Sequence, residues 1–256
     1  MVALPPGQVH IWITQPEVIQ DNALLADYLD LLSTEEREKQ KRFHFERDRK
    51  NYLCTRALVR AVLSKYAPVA PAGWEFERNA YDKPEIKRTD RSLPDLQFNL
   101  SHSNQLIACA VTLDRKLGID VEHTIRSTDF PEVANRYFSS LEMADLNRLS
   151  IPEREMKFFE YWTLKEAYIK ACGEGLQIPL DVFSMNLTQQ GKVAISFTGN
   201  RVDNPEHWQF QLYRLHRDHY LSLAVETPLT PDSVLLFEGI PLREFTPADY
   251  RLMRSS

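Results

Sequence analysis

At 256 residues the chain has room for one large domain or two smaller ones. Its 43% hydrophobic and 26% charged composition is that of a globular protein with a sizeable core, and its net charge of −5 argues against a general nucleic-acid coat. Three cysteines, Cys54, Cys109 and Cys172, with no Cys-x-x-Cys spacing, argue against a disulfide framework or a structural zinc site and fit a reducing cytoplasm. The segment MVALPPGQVHIWIT lacks the charged start and apolar run of a signal peptide, and no stretch reaches the ~18 apolar residues of a membrane span.

In chain order, Gln8–Thr14 reads as a strand from its β-rich run VHIWIT. Leu24, Leu25, Tyr28, Leu29 and Leu32 have helical spacing. Ser33, three residues before Glu36, marks a capped helix start. A long helix is predicted from Asp48 to Tyr66, with an apolar face beside a cationic one, stopped by the Pro-rich segment Ala67–Gly73. After a loop at Tyr81–Pro84 come strands at Leu96–Ser101, Leu106–Leu113 and Leu117–Glu122. Helical patterns return at Phe130–Arg136, Ser140–Leu149 and Glu155–Cys172, and the chain from Phe183 onward reads mostly as strand and turn.

Two stretches resemble each other. QFNL at Gln97–Leu100 leads to Ala110-Val111, and QFQL at Gln209–Leu212, 112 positions later, leads to Ala224-Val225. Each follows a long helix, NYLCTRALVRAV from Asn51 and EYWTLKEAYIKA from Glu160, offset by nearly the same distance. A repeat of this length indicates a duplicated domain rather than a solenoid.

The chemistry concentrates in three places. In LGIDVEH, Asp120 and Glu122 are two apart on a strand, so both leave one face. Two carboxylates that close repel, and a hard cation such as Mg²⁺ relieves the conflict; the ordinary alternative is a solvated edge strand. In FFEYWTLKEAYIKACGEGL, Glu166 and Lys170 share a helical face, either as a helix-stabilising pair or, among so many aromatics, as a half-buried acid–base pair. In FNLSHS, Ser101 and His102 point to opposite faces of a strand, which disfavours a nucleophile–base pair and suits phosphate contact. No Gly-x-Ser-x-Gly elbow is present. Basic residues cluster at Lys39, Lys41, Arg42, Arg47, Arg49 and Lys50, diluted by acids, and Lys83 stands beside Pro84. His216 and His219 read as surface residues, since no third ligand suggests itself.

Together these segments resemble the surfactin-type (Sfp-type) 4′-phosphopantetheinyl transferases. The family pattern G-[IV]-D-x-E is met by Gly118-Ile119-Asp120-Val121-Glu122, and W-[ST]-x-K-E-[AS]-x-x-K by Trp162 through Lys170. Phe98–Ser103 and Lys83-Pro84 match two further elements, so the resemblance spans roughly Ser33 to Phe183. It implies a holo-[acyl-carrier-protein] synthase type of enzyme. Such an enzyme moves 4′-phosphopantetheine from coenzyme A to a serine hydroxyl of an apo acyl carrier protein, or of a peptidyl or polyketide carrier domain. Adenosine 3′,5′-bisphosphate is released.

The resemblance also implies roles. Asp120, Glu122 and Glu166 would hold Mg²⁺ on the coenzyme A pyrophosphate. Glu166 and Lys170 would be catalytic, Glu166 taking the serine proton and Lys170 meeting the phosphate. Glu142 and a metal-bound water are alternative bases. Lys39, Lys83, Pro84, Ser101 and His102 would contact the coenzyme, with Arg49 or Lys50 replacing a cation of the His-Arg-Thr found in relatives. The implied fold is α+β, two pseudo-twofold-related halves, each a small antiparallel sheet packed on a long helix. The first half, 1–117, would take the adenosine end and the second, 118–256, the metal. A cytoplasmic monomer with neither nucleic acid nor membrane as partner is expected. The alternative function is a metal-dependent nucleotide phosphohydrolase.

Overall fold

The computed structural model describes residues 1–88, 90–124, 130–198, 201–216, 218–226, 229 and 231–256. In chain order its elements are β1 (Val9–Thr14), α1 (Asn22–Leu31), α2 (Thr34–Arg42), α3 (Glu46–Leu63), β2 (Phe76–Arg78), β3 (Pro84–Ile86), β4 (Leu96–Ser103), β5 (Leu106–Leu113) and β6 (Leu117–His123). There follow α4 (Phe130–Tyr137), α5 (Ser140–Leu146), α6 (Ile151–Cys172), β7 (Phe183–Asn186), β8 (Ala194–Phe197), β9 (Trp208–Leu215), β10 (His219–Glu226), β11 (Val234–Gly239), β12 (Phe245–Pro247) and β13 (Arg251–Ser255). Mixed helix and sheet is what the sequence pattern implies.

Two compact units result. Unit 1 holds 1–78, 84–114 and 232–249; unit 2 holds 79–83, 115–231 and 250–256. The expected halves, 1–117 and 118–256, are continuous, whereas these units are not. The reason is a strand: β11 pairs in parallel with β1, which returns the segment 232–249 to unit 1. Unit 1 therefore has a mixed five-stranded sheet, β12-β11-β1-β5-β4, in place of the small antiparallel one expected. The β2–β3 hairpin is a second feature absent from the sequence reading. Unit 2 carries the antiparallel sheet β13-β9-β10-β6.

Within each unit the same order recurs: a strand, a long helix, then a hairpin whose second strand pairs antiparallel with the first strand. In unit 1 this is β1, α3, β4–β5; in unit 2 it is β6, α6, β9–β10. The matching QF motifs sit at matching positions. Phe98 opposes Val111, which opposes His10; Phe210 opposes Ala224, which opposes Gly118. The Ala-Val pairs are thus out of step by one, Val111 standing where Ala224 does. The β9–β10 turn is longer than the β4–β5 turn by one residue, and one residue moves a side chain to the other face.

Each long helix buries its sheet-facing side. Leu53, Ala57, Leu58 and Val62 of α3 pack with Trp12, Phe98 and Val111; Phe158, Leu164 and Tyr168 of α6 pack with Phe210, Leu212 and Ala224. Helix α6 begins four residues earlier than its apolar periodicity suggests, at a Ser150–Glu153 capping box, and ends at Gly173 in the left-handed conformation (φ 75°). Among the described residues no helix is long and apolar enough to cross a membrane.

Candidate active site

The site of unit 2 starts from a glycine. A Cβ on Gly118 would lie 2.0 Å from the Ala167 carbonyl oxygen and 2.3 Å from the Ala171 amide nitrogen. Only glycine lets the backbone of β6 touch the backbone of α6, and Ala167 keeps the helix side small. Strand alternation then turns Asp120 and Glu122, like Gly118, toward α6. Lys170 Nζ meets Asp120 Oδ1 at 2.6 Å, and Trp162 Nε1 donates to Glu122 Oε1 at 3.2 Å. Trp162 is itself fixed by a stacked Phe158 and an edge-on Tyr137.

Glu166 belongs to the same group of charges. Burial, then repulsion from Asp120 and Glu122, pushes its carboxyl up to about 7, with Lys170 pulling the other way. Burial lowers the Lys170 amine, but Asp120, Glu166 and Glu122 together leave it above its ordinary value. The structure thus brings Asp120, Glu122, Glu166 and Lys170 into one electrostatic cluster. The donors are all carboxylate oxygens, the set a hard divalent cation takes, and such a cation would relieve the repulsion that raises Glu166. The chemistry fits Mg²⁺. Among the described residues, however, no group of three or more His, Cys, Asp or Glu is arranged to hold a metal, and the positive charge beside Asp120 is that of Lys170.

The neighbouring motif residue, Lys165, faces the other way. Its ammonium is fully buried, 2.8 Å from both oxygens of Glu142 and 2.7 Å from the Phe183 carbonyl. Glu142 also accepts from the amides of Ser139 and Met185 and is 0% exposed. Glu142 is therefore a structural anchor of α5 on α6. The alternative that made it the general base is corrected by this geometry, since no substrate oxygen reaches a fully buried, fully bonded carboxylate.

Lys83 lies in unit 2, on the short turn Asn79–Lys83. Its ammonium donates to the carbonyls of Lys170 (2.8 Å), Leu117 (3.3 Å) and Ala171 (3.4 Å). The remaining expected coenzyme contacts belong to unit 1. Lys39 and Pro84 line one cleft of about 580 Å³ there, together with Tyr52, Arg56, Arg60 and Phe76. Arg56 and Arg60 both bind Glu36 at 2.7 Å and lie over the Phe76 ring. These cleft residues escaped the sequence reading, although the i, i+4, i+8 spacing of Tyr52, Arg56 and Arg60 on α3 is their signal. Arg49, in contrast, holds its own loop by donating to the carbonyls of Phe43 and His44. On β4, Ser101 is buried and His102 exposed, as strand alternation requires. Neither Arg49 nor Lys50, Ser101 nor His102 lines the 580 Å³ cleft.

A carboxylate cluster with one lysine, on a strand and helix pressed together, is a set that acid–base and electrostatic chemistry can use. Residues 116–224 match the 4′-phosphopantetheinyl transferase superfamily, and residues 20–113 match the family described as 4′-phosphopantetheinyl transferase, N-terminal. The chain is 34% identical to a 4′-phosphopantetheinyl transferase of Bacillus subtilis, over 77% of this chain and 83% of that one. It is 32% identical to 4′-phosphopantetheinyl transferase Sfp of Bacillus subtilis (strain 168), over 82% and 88%. With 4′-phosphopantetheinyl transferase HetI of a Nostoc species it shares 36% identity, over 68% and 73%. The chain belongs to the 4′-phosphopantetheinyl transferase family. Nothing in these likenesses supports the phosphohydrolase alternative.

Proposed function

We propose that unit 2 carries the chemistry of this family's reaction, transfer of 4′-phosphopantetheine from coenzyme A to a carrier-protein serine, through Asp120, Glu122, Glu166 and Lys170. The observation that carries the reading is the backbone contact at Gly118, which brings the two halves of the acidic set, β6 and α6, together. Asp120, Glu122 and Glu166 would hold Mg²⁺, which when bound neutralises pyrophosphate charge and favours departure of the leaving phosphate.

The residues of the chain do the rest. The serine hydroxyl attacks the phosphorus bearing the pantetheine arm, and Glu166 accepts its proton. A buried carboxylate in the same cluster of charges suits that task. The bond to the adenosine 3′,5′-bisphosphate oxygen breaks as the new serine–phosphate bond forms, and Lys170 offsets charge on the departing oxygens. In unit 1, Lys39 and Pro84, with Arg56 and Arg60, support a cleft for the adenosine end. Lys50 serves better than Arg49 as the further phosphate contact, because the Arg49 fork already holds carbonyls. Ser101 and His102 remain assigned to the coenzyme. A cytoplasmic, monomeric enzyme completes the reading, and the free thiols Cys54, Cys109 and Cys172 suit a reducing compartment.

The test is mass spectrometry of an apo-carrier incubated with coenzyme A, Mg²⁺ and protein. The expected result is a pantetheinylated serine with wild type. Glu166→Gln should lose about 10²-fold or more in kcat while still binding coenzyme A. Coenzyme A hydrolysis without carrier labelling, or wild-type turnover in the variant, would refute the assignment.

A further inference from the structure

Lys83 does something other than what its place in the motif suggests. It stands on a turn shaped for it. Asn79 Oδ1 accepts from the amides of Tyr81 and Lys83, the Asn79 amide donates to the Lys83 carbonyl, and Asp82 takes the left-handed conformation (φ 71°). From this turn two side chains reach the end of α6. Asn79 Nδ2 donates to the Gly173 carbonyl at 3.1 Å, and Lys83 Nζ donates to the carbonyls of Lys170 and Ala171. These are among the last carbonyls of the helix, which lack intrahelical partners and sit at the negative end of its dipole. The same ammonium also donates to Leu117, the residue before Gly118.

One cation therefore binds the backbone of both elements that carry the acidic set. On α6 it holds the carbonyl of Lys170, whose own side chain meets Asp120 at 2.6 Å. On β6 it holds Leu117, three residues before Asp120. The Gly118 contact has no side chain to interlock; the register is held in part by the Asp120–Lys170 and Glu122–Trp162 contacts farther along β6 and, at the start of the strand, by Lys83. We infer that Lys83 is a positioning residue that locks the β6–α6 register, and through it the Asp120–Lys170 pair, rather than a ligand of the coenzyme phosphates. This rests on the transferase reading above.

Lys83→Met keeps the stem and removes the charge. With coenzyme A and an apo-carrier, its kcat should fall about tenfold or more while KM for coenzyme A stays within about twofold. Calorimetric affinity for coenzyme A should be unchanged, and hydrogen exchange of the Gly173 amide, bonded to Ile169 in the last turn of α6, should speed up. Lys83→Arg, which keeps donors on a cation, should recover part of kcat. A tenfold rise in KM or Kd for coenzyme A with kcat intact overturns the inference in favour of a phosphate contact. Unchanged kcat with unchanged exchange overturns it as well. Should Lys83→Met not fold, Asn79→Ala carries the test, since it frees Gly173 and the Lys83 backbone but keeps the amine; the same split between kcat and KM is expected in smaller size. A wild-type protein that leaves the carrier unmodified removes the transferase reading itself, whereas active wild type with a KM-only Lys83 defect sinks this inference alone.

Discussion

In unit 1 the space between β1 and α3 is filled by Trp12, stacked on Phe237 with ring centroids 4.3 Å apart and edge-on to Phe245. In unit 2 the matching strand position, read through the paired Phe98 and Phe210, is Asp120, and Thr14 is matched by Glu122. Aligning the helices at Asn51 and Glu160 sets Ala57 and Ala61 against Glu166 and Lys170. One scaffold thus supports an uncharged filling in one unit and four charges in the other. The difference begins at His10 and Gly118: the first carries a side chain, which meets Tyr66 just beyond α3, and the absence of one at the second lets the backbones of β6 and α6 meet. Charges in so close a space survive because they are mutually arranged, three acids with a lysine among them.

What both units keep is instructive too. Each has a capping-box glutamate, Glu36 on α2 and Glu142 on α5, that reaches a cation on the long helix, Arg56 with Arg60 in one unit and Lys165 in the other. The cap fixes the short helix and the ion pair fixes it to the long one. The shared pair is scaffold; the unshared charges are the ones proposed to do the chemistry.

The strongest way to break the contrast is Gly118→Ala. Its methyl would overlap three backbone atoms of α6, none of which can rotate away, so β6 must move by an ångström or more. Displacement on that scale predicts about a 10²-fold or larger loss of transferase activity, with lowered stability. An active Gly118→Ala enzyme of unchanged melting temperature would show that the backbone contact does not set the site. His10→Ala, at the matching place in unit 1, should leave kcat near wild type.

Next in size is the scaffold pair. Glu142→Ala strands the wholly buried Lys165 ammonium and should destabilise by about 3–5 kcal/mol in urea unfolding. Glu36→Ala should cost about 1.5–3 kcal/mol, since Glu36 keeps 14% of its side chain in solvent and Arg56 keeps 12%. Equal costs in the two units would mean that burial does not separate the two pairs.

The comparison also shows what the sequence makes legible. The long helices could be read, because periodicity and capping residues are local: the Ser33–Glu36 cap and the apolar spacing of α1, α3 and α6 stand in the string itself. The acidic residues could be read in part: strand and helix periods pair Asp120 with Glu122 and Glu166 with Lys170, and the family resemblance joins the two pairs into one set. Three things could not. The pairing of β11 with β1 joins residues more than two hundred positions apart and leaves no local trace. Lys83 is a lone lysine in a turn until its carbonyl partners are known. The Glu142–Lys165 anchor is hidden because a buried ion pair and an exposed one use the same letters.

The smallest predicted effect concerns pH and sharpens the contrast at Glu166 itself. Its carboxyl, raised from an ordinary carboxylate value to about 7, stays protonated in the folded metal-free protein at pH values where the unfolded chain has lost the proton. The folded state then binds more protons than the unfolded one between roughly pH 4.5 and 7, so metal-free stability must fall as pH rises through that window. Binding of Mg²⁺ requires the carboxylate, so below about pH 7 apparent affinity should rise by up to tenfold per pH unit and level off above it. Calorimetric Mg²⁺ titrations at pH 6, 7 and 8 in the presence of coenzyme A measure the slope directly. In Glu166→Gln the pH dependence should flatten while residual affinity from Asp120 and Glu122 persists. A slope unaltered by that substitution would place the titrating group elsewhere in the cluster and detach Glu166 from the metal.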